Sequence, residues 1–400
     1  MTTKLRAASF QDGSVTTAKI AADAITNAKI ADGAVDSDAI GSSAIVADKL
    51  SIGQIGGRRN IVINGGMQIS QRGTSFSVSD NIYTLDRFVT EFSGLGAFTL
   101  TQSTDAPDGF GNSLKLDCTT ADTSISAGEY FNIRQSLEGQ DVQQLKKGTS
   151  SAEKITVSFY VKGNASATYL LELSDQDNTR YNGQTFAVTT SWNRIVLTYN
   201  GDTSGVLDND NARSLDLNFW LHGGSTYTGG TFTSNTWHGT DNQRLASITS
   251  FFDSTDRTFF ITGLQMEVGS QATPFEHRSF GEELALCQRY CFDVNPPTGA
   301  SPNTPYIMSC ASYNATLAIS HVRFPCEMRT TPTTTLTGAA ADFSIVEGNQ
   351  TRVCTGFAAN GLSSVGGGMT WTVNAGGMTT GQAGNVYIES NKRAFFDAEL

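Results

Sequence analysis

Residues 155–162 read ITVSFYVK, and this stretch indicates the fold class of the chain more clearly than any other. Apolar and polar side chains alternate along it, β-branched and aromatic residues dominate it, and Gly163 ends it. Successive side chains of a strand point to opposite faces of a sheet, so the alternation predicts a strand that lays one face on a core.

Similar short runs recur from residue 60 onward. The clearest are residues 195–199 (IVLTY), 215–222 (LDLNFWLH) and 260–268 (FITGLQMEV). Many short strands without helices between them predict an antiparallel sandwich or barrel. The abundance of Gly (40) and Phe (23), with few Pro (8), also fits an all-β protein.

One short helix is expected to interrupt this pattern. Residues 282–290 have a helical pattern, and Ser279 with Glu282 three positions later forms a capping-box sequence. From about residue 295 to the end, runs such as 370–373 (TWTV) predict strands again. We expect a short helical connector followed by a second, smaller β-sandwich domain.

The first 57 residues follow a different repeat. A large apolar residue returns at every fifth position, and small or polar residues fill the gaps. These positions are Leu5, Phe10, Val15, Ile20, Ile25, Ile30, Val35, Ile40, Ile45, Leu50 and Ile55. On a straight helix, residues five positions apart lie about 140° apart around the axis, so they form no apolar stripe. On a strand, residues five positions apart point to opposite faces.

A single line of aliphatic side chains can be shielded from water only by other apolar side chains packed against it. The simplest source of these is the same line on two further copies of the chain. We therefore expect an intertwined, trimeric shaft. Its core would consist of Val15, Ile20, Ile25, Ile30, Val35, Ile40, Ile45 and Leu50. A disordered, low-complexity linker is the alternative, which the Ala, Ser and Thr content favours.

The charge of the chain argues against nucleic acid as a partner. The formal net charge is −11, the pI is near 4.8, and Lys and Arg form no concentrated basic patch. Residues 1–10 lack the apolar core of a signal peptide, and no run approaches the roughly eighteen apolar residues of a membrane span. We expect synthesis in a cytoplasm and no membrane insertion.

The six cysteines are spread too widely for a disulfide framework or a tight metal site. They are Cys118, Cys287, Cys291, Cys310, Cys326 and Cys354. We expect free and mostly buried thiols.

Five segments resemble a known family. They are residues 60–73 (NIVINGGMQISQRG), 83–88 (YTLDRF), 261–269 (ITGLQMEVG), 272–279 (ATPFEHRS) and 283–290 (ELALCQRY). Together with the five-residue repeat, they resemble bacteriophage tail fibre proteins, especially marine ones. The resemblance implies a homotrimeric virion protein attached to the phage tail, with a jelly roll like that of carbohydrate-binding modules. It does not identify a receptor.

These observations predict an all-β protein in three parts. Residues 1–57 would form the repetitive trimeric shaft and attach to the virion. Residues 58–280 would form the central jelly-roll β-sandwich, and residues 281–400 the connector and the C-terminal β tip.

The sequence gives little support for catalysis. Cleavage of a polysaccharide needs two carboxylates about 5–10 Å apart. The candidates are Asp175 with Asp177, Asp208 with Asp210, and Asp216, and most of them lie in turn-like contexts, where Asp usually shapes a loop. The run that begins at Asp208 offers oxygen ligands for Ca²⁺ but lacks the Gly and Glu of an EF-hand loop, which favours a solvated turn. We predict no enzymatic activity, no cofactor and no metal site.

The aromatic residues indicate a candidate carbohydrate site. Alternation along residues 215–222 puts Asp216, Asn218 and Trp220 on the face away from the core, and Trp237 lies in a polar loop. Sugars stack on aromatic rings, while carboxylates and amides bind their hydroxyls. These four residues are the candidate glycan contacts. The alternative is that both tryptophans pack against a neighbouring domain or subunit.

We therefore expect a structural tail fibre subunit, located in the virion tail, that adheres to host cell-surface glycans weakly at each site and multivalently overall. Its other expected partners are tail or adaptor proteins, bound through the N-terminal segment. Two alternatives are a purely architectural tail subunit and a polysaccharide-degrading spike.

Overall fold

The computed structural model describes residues 58–78, 81–94, 96–294, 306–374, 376–388 and 392–400. The shaft expected for residues 1–57, with its trimer core from Val15 to Leu50, lies outside these residues. The described residues belong to one compact unit. In these ranges, no helix has both the length and the apolar composition needed to cross a membrane.

Two six-stranded antiparallel sheets form a sandwich between residues 75 and 268. In chain order the strands are β1 (Ser75–Val78), β2 (Ile82–Tyr83), β3 (Val89–Ser93), β4 (Ala97–Ser103), β5 (Ser113–Thr120), β6 (Tyr130–Glu138), β7 (Ile155–Gly163), β8 (Ala167–Asp175), β9 (Arg180–Val188), β10 (Asn193–Tyr199), β11 (Arg213–Gly223) and β12 (Thr258–Val268). The first sheet has the order β1-β4-β5-β12-β7-β10, and the second has the order β2-β3-β6-β11-β8-β9. The chain therefore crosses repeatedly between the sheets, as in a jelly roll.

The main core lies between the two sheets. Along β11, alternation puts Leu215, Leu217, Phe219 and Leu221 into this core, as the sequence predicts. Aromatic rings fill much of it, and Phe159 meets Phe219 edge to face with ring centroids 5.1 Å apart. Burial of each such side chain contributes about 1.5–3 kcal/mol.

Helical segments are short throughout the described residues. They are α1 (Ser225–Thr228), α2 (Phe280–Gln288) and the 3₁₀ turns Gly139–Asp141, Gln143–Leu145, Asp241–Gln243 and Ala340–Asp342. The predicted capping box of α2 is confirmed. The Glu282 backbone N–H donates to Ser279 Oγ at 3.3 Å, and the Ser279 N–H donates to the Glu282 carboxylate at 3.4 Å.

The C-terminal strands form a closed barrel rather than the small sandwich that the sequence suggests. They are β13 (Cys291–Val294), β14 (Tyr306–Ser312), β15 (Leu317–Arg323), β16 (Thr333–Leu336), β17 (Phe343–Glu347), β18 (Gln350–Ser363), β19 (Gly366–Val373), β20 (Ala383–Ile388) and β21 (Ala394–Asp397). The barrel has the order β14-β15-β19-β18-β17-β20, and a three-stranded sheet β13-β21-β16 completes this part. Closure depends on the pairing of β14 with β20, which a strand pattern alone cannot reveal.

The barrel core is rich in sulfur and contains one central indole. Its members include Met308, Cys310, Met328, Cys354, Met369 and Met378. Trp371 is 0% exposed, and its Nε1 donates to Ser320 Oγ at 2.8 Å. The six cysteines of the chain are free, and all but the partly exposed Cys326 are buried, as predicted.

A buried ion-pair network joins the end of the chain to the sandwich. Arg87 pairs with Glu399, and these side chains are 1% and 2% exposed. The Arg87 guanidinium also lies 3.4 Å from the centre of the Tyr290 ring, which follows α2. Arg72 pairs with the same Glu399 at 3.2 Å, and Arg329 donates to the Glu399 carbonyl at 2.9 Å. The buried charge of Arg87, within residues 58–280, is therefore paired by a residue near the C-terminus.

An ammonium group anchors the loop between β10 and β11. Lys147 Nζ donates to Asp175, to the carbonyl of Ser204 at 3.0 Å and to the carbonyl of Gly205 at 2.9 Å. Asp202 lies 3.1 Å away, and the Lys147 side chain is only 3% exposed. Four oxygens thus surround one buried cation that belongs to the chain itself.

Candidate functional site

The outer face of the second sheet carries polar side chains that the strand register puts side by side. Asn218 of β11 lies opposite Arg134 of β6 and opposite Glu172 of β8. Trp220 lies opposite Asn132 of β6. Because directly opposite residues of paired strands point to the same face, these five side chains share one surface.

The segment that follows β11 covers part of this surface. Tyr227 of α1 contacts Trp220 and Tyr130, with ring centroids 5.1 and 5.7 Å apart. Arg244, from the same segment, lies over the Trp220 ring at 4.9 Å. Gly183 of β9 permits this approach, since a Cβ there would lie 3.2 Å from the Arg244 carbonyl oxygen.

A cleft of about 250 Å³ opens between the sheet and its cover, and we call it the sheet cleft. The described residues that line it are Glu91, Tyr130, Asn132, Arg134, Ser174, Gln176, Tyr181, Arg213, Asn218, Trp220, Tyr227 and Arg244. Pockets for drug-sized ligands usually have about 300–1,000 Å³. The sheet cleft therefore suits a smaller group, such as one sugar ring.

Two arginines of the sheet cleft are held by carboxylates that are fully buried. Arg244 donates from Nε and Nη2 to Glu172 at 2.9 and 2.6 Å. Arg213 donates from Nε to both oxygens of Asp216 at 2.9 and 3.0 Å. The Glu172 and Asp216 side chains are 0% exposed. These pairs fix the guanidinium groups, and the carboxylates lie on the side away from solvent.

Four buried polar atoms of the sheet cleft have no hydrogen-bond partner among the described residues. They are Asn132 Oδ1, Arg134 Nε, Asn218 Oδ1 and Trp220 Nε1. Leaving a buried polar group unpaired costs about 1–3 kcal/mol, so hydrogen bonds to these atoms would stabilise whatever group supplies them. Two of these atoms accept and two donate. Hydroxyl groups match such a set because each of them can do both.

The tyrosines of the cleft are neutral at physiological pH. Burial raises the pKa of Tyr181 to about 12 and also raises the pKa of Tyr130 and of Tyr227. Each phenol therefore keeps a hydroxyl that donates and accepts. Burial favours the neutral form of Arg244, but the ion pair with Glu172 outweighs this and raises its pKa.

The structure places the four predicted glycan contacts in three different settings. Asn218 and Trp220 line the sheet cleft, whereas Asp216 lies beneath it and acts on it through Arg213. Trp237 lies elsewhere, and its Nε1 donates to the Asn200 carbonyl at 2.8 Å.

Trp220 is not exposed in the way that an aromatic ring that stacks on a sugar would be. It is only 2% exposed, because Leu245 and Tyr227 from the covering segment pack on it. The partly exposed rings of Tyr130 and Tyr227 are better placed to stack on a ligand.

The sequence analysis did not predict several residues of the sheet cleft, although the pattern of one strand indicates three of them. Along β6, Tyr130, Asn132 and Arg134 alternate with the core residues Phe131 and Ile133. This is the same alternation that identified β11. No local sequence pattern predicts the contributions of Tyr227 and Arg244, because they lie in the mostly irregular segment between β11 and β12.

Four of the five carboxylates considered for catalysis have structural partners, and the fifth, Asp208, is exposed. Asp175 and Asp216 form buried ion pairs, while Asp177 and Asp210 accept hydrogen bonds from backbone N–H groups of the loop near Asp208. The run that begins at Asp208 is exposed. In the described ranges, no cluster of three or more His, Cys, Asp or Glu is arranged to hold a metal ion.

A larger hollow of about 840 Å³ lies against the barrel. Its lining includes Phe292, Ile307, Ile319 and Val322, and it is predominantly apolar. Val294, the last residue of β13, also lines it. We base the candidate site on the sheet cleft, because the unpaired buried polar atoms lie there.

No protein-family model matches the chain, and no curated protein matches it. Among solved structures, it is similar to the enzymatically active domain of bacteriophage CBA120 tailspike protein 4, at 12% identity and a TM-score of 0.27. That alignment covers 52% of this chain but only 21% of the tailspike domain.

Carbohydrate-binding modules are similar at the same level. The CBM22-1 xylan-binding domain from Paenibacillus barcinonensis has 10% identity and a TM-score of 0.28, with 54% of this chain and 100% of that chain covered. A family 11 carbohydrate-binding module from Clostridium thermocellum has 13% identity and a TM-score of 0.26, with 51% and 98% covered.

Proposed function

We propose that this chain is a non-enzymatic, adhesive subunit of a homotrimeric bacteriophage tail fibre, and that its sheet cleft binds glycans of the host cell surface. The four buried polar atoms without partners carry the binding part of this proposal. Two acceptors and two donors on residues that line the same cleft as Tyr130 and Tyr227 match a sugar, which offers hydroxyls and an apolar C–H face.

The fibre part of the proposal is supported by the sequence. The resemblance of the five segments to tail fibre proteins supports a place in the virion tail, after synthesis in the host cytoplasm. The five-residue repeat supports a trimer, with the N-terminal segment bound to other tail or adaptor proteins. A cleft this small gives weak binding at one site, and three copies in one fibre raise the effective affinity.

Adsorption of the fibre to host cells tests the binding role. In Tyr227→Ala, we expect the affinity per site to fall by about 2- to 10-fold, because an aromatic contact contributes roughly 0.5–1.5 kcal/mol. Tyr313→Ala is the matched control, since Tyr313 is 64% exposed and borders the barrel hollow instead. Loss of adsorption in the control alone would move the receptor site to the barrel.

The trimer is tested at the shaft. In Ile25→Asp with Ile30→Asp, two charges would enter the expected apolar core, where an unpaired charge is very costly. We expect loss of the trimer mass in light scattering. A double variant with the wild-type mass and heat resistance would contradict the shaft.

Two alternatives give different results. A polysaccharide-degrading spike would release reducing ends from envelope glycans, which we do not expect because Asp175, Asp177, Asp210 and Asp216 are engaged in ion pairs and loop hydrogen bonds. A purely architectural subunit would bind no glycan, and a map of the whole particle would show other virion proteins over its sheet cleft.

A further inference from the structure

Resting on the proposed function, we propose that the glycan of the sheet cleft is acidic, with a sugar carboxylate held by Arg213 and Arg134. The class of ligand is thus a uronic acid or another carboxylate-bearing sugar. This inference concerns the charge of the ligand and rests on the arginines, rather than on the hydroxyl-matching atoms alone.

First, the charged side chains that line the sheet cleft are mostly positive. Among the described residues that line it, three are arginines and one, Glu91, is acidic. This excess is local, since the whole chain has 27 Lys and Arg against 38 Asp and Glu. The carboxylates that balance Arg213 and Arg244 are 0% exposed and lie outside the lining. A ligand therefore meets mainly the guanidinium groups.

The second step is the supply of free donors. Arg213 uses Nε and Nη2 for Asp216, and its side chain remains 33% exposed. Its Nη1 donates to none of the described residues and is available to a ligand. Arg134 donates from Nη1 to Glu91, and its buried Nε is unpaired. Hydrogen bonds from a guanidinium to an anion are roughly twice as strong as neutral ones, so these donors favour a carboxylate over a hydroxyl.

The third step limits the charge of the ligand. The three arginines and the carboxylates of Glu91, Glu172 and Asp216 have a formal sum of zero. Such a site does not attract a highly charged polyanion from a distance. A single carboxylate on an otherwise hydroxylated ring fits both the free donors and the Asn acceptors.

Binding to paired probes tests the proposal on the full-length protein. We would measure affinity for galacturonate, glucuronate and mannuronate oligosaccharides and for their methyl esters, which keep the ring but lose the charge. We expect at least one acid to bind about tenfold or more tightly than its ester. Increasing salt should weaken binding of the acid and leave that of the ester nearly unchanged.

Variants then assign the effect to the cleft. In Arg213→Gln, we expect the preference for the acid over its ester to fall about tenfold. This change leaves the buried carboxylate of Asp216 unpaired. The double variant Arg213→Gln with Asp216→Asn removes that carboxylate and keeps the net charge of the protein. We expect the folded double variant to show the same loss of preference for the acid. Arg323→Gln, at an exposed arginine of the barrel, is the matched control and should keep the preference.

The outcomes separate this inference from the proposed function. Equal binding of acid and ester, or binding of neutral or sulfated glycans alone, would overturn the acidic ligand and keep the glycan-binding role. An acid preference that survives in the double variant would also overturn it. Absence of binding to every saccharide would overturn both.

Discussion

The sandwich and the barrel bury charge to different extents. The second sheet, and the junction between the chain end and the sandwich, bury the pairs Arg244–Glu172, Arg213–Asp216 and Arg87–Glu399. Among its described residues, the barrel has one comparable pair, Arg352–Glu347, and its core is apolar, with four methionines, two cysteines and Trp371 among its members. A buried ion pair often contributes no more stability than apolar residues of similar volume. The pairs of the sandwich therefore indicate demands other than stability, namely a fixed junction and a cleft with oriented guanidinium groups.

The junction offers the largest test of this contrast. In Glu399→Ala, the guanidinium of Arg87 stays buried without its carboxylate, and we expect the free energy of unfolding to fall by about 3–5 kcal/mol. Chemical denaturation measures this change. Glu153→Ala is the control, because the Lys146–Glu153 pair is exposed on both sides and should contribute little. Equal losses in both variants would show that burial of the pair is irrelevant.

A fragment of residues 58–280 lacks the same carboxylate. We expect this fragment to melt at a lower temperature than residues 58–400, because Arg87 loses both Glu399 and the Tyr290 ring. Thermal unfolding followed by circular dichroism measures the difference. An unchanged melting temperature would mean that the sandwich folds independently of the junction.

The two buried tryptophans give an effect of similar size and compare the regions directly. Trp220→Ala and Trp371→Ala should each cost about 3–5 kcal/mol, since both indoles are almost fully buried. The Phe variants should differ. Trp371→Phe also removes the hydrogen bond to Ser320, worth about 0.5–1.5 kcal/mol, whereas Trp220 Nε1 has no partner in the described chain. A larger loss in Trp220→Phe would contradict this assignment.

The last expected effect is on the pH dependence of stability. Burial raises the pKa of Asp293 to about 7, so its folded form binds a proton more readily than its unfolded form. The resulting stabilisation is fully present below the unfolded pKa of about 4 and is lost as the pH rises through about 7. We expect the melting temperature to fall between pH 5 and pH 8, and to fall less in Asp293→Asn. Parallel curves for both proteins would exclude Asp293 as a source.

Much of the fold can be read from local patterns. The alternation of residues 215–222 predicts which side chains of β11 enter the core, and the capping box of α2 depends on neighbours three residues apart. Both signals are short in sequence. Closure of the barrel depends on β14 pairing with β20, more than 70 residues later, and no local pattern encodes it.

The candidate site was only partly predictable for the same reason. Asn218 and Trp220 were found because they share one strand, but strand alternation gives the face of a residue and not its exposure. Whether Trp220 is open depends on Leu245 and Tyr227, which come from a segment with no regular pattern. The pairing of Arg87 with Glu399 spans 312 residues and was equally out of reach.

The Lys147 ammonium has a consequence for how the sandwich responds to its surroundings. A bound ion that organises a loop can dissociate on dilution or be removed by a competing ligand, whereas this cation is tethered to the backbone at a very high local concentration. The positions of Ser204 and Gly205 should thus be insensitive to chelators and to the ionic composition of the medium. The loop carries its own permanent counter-ion.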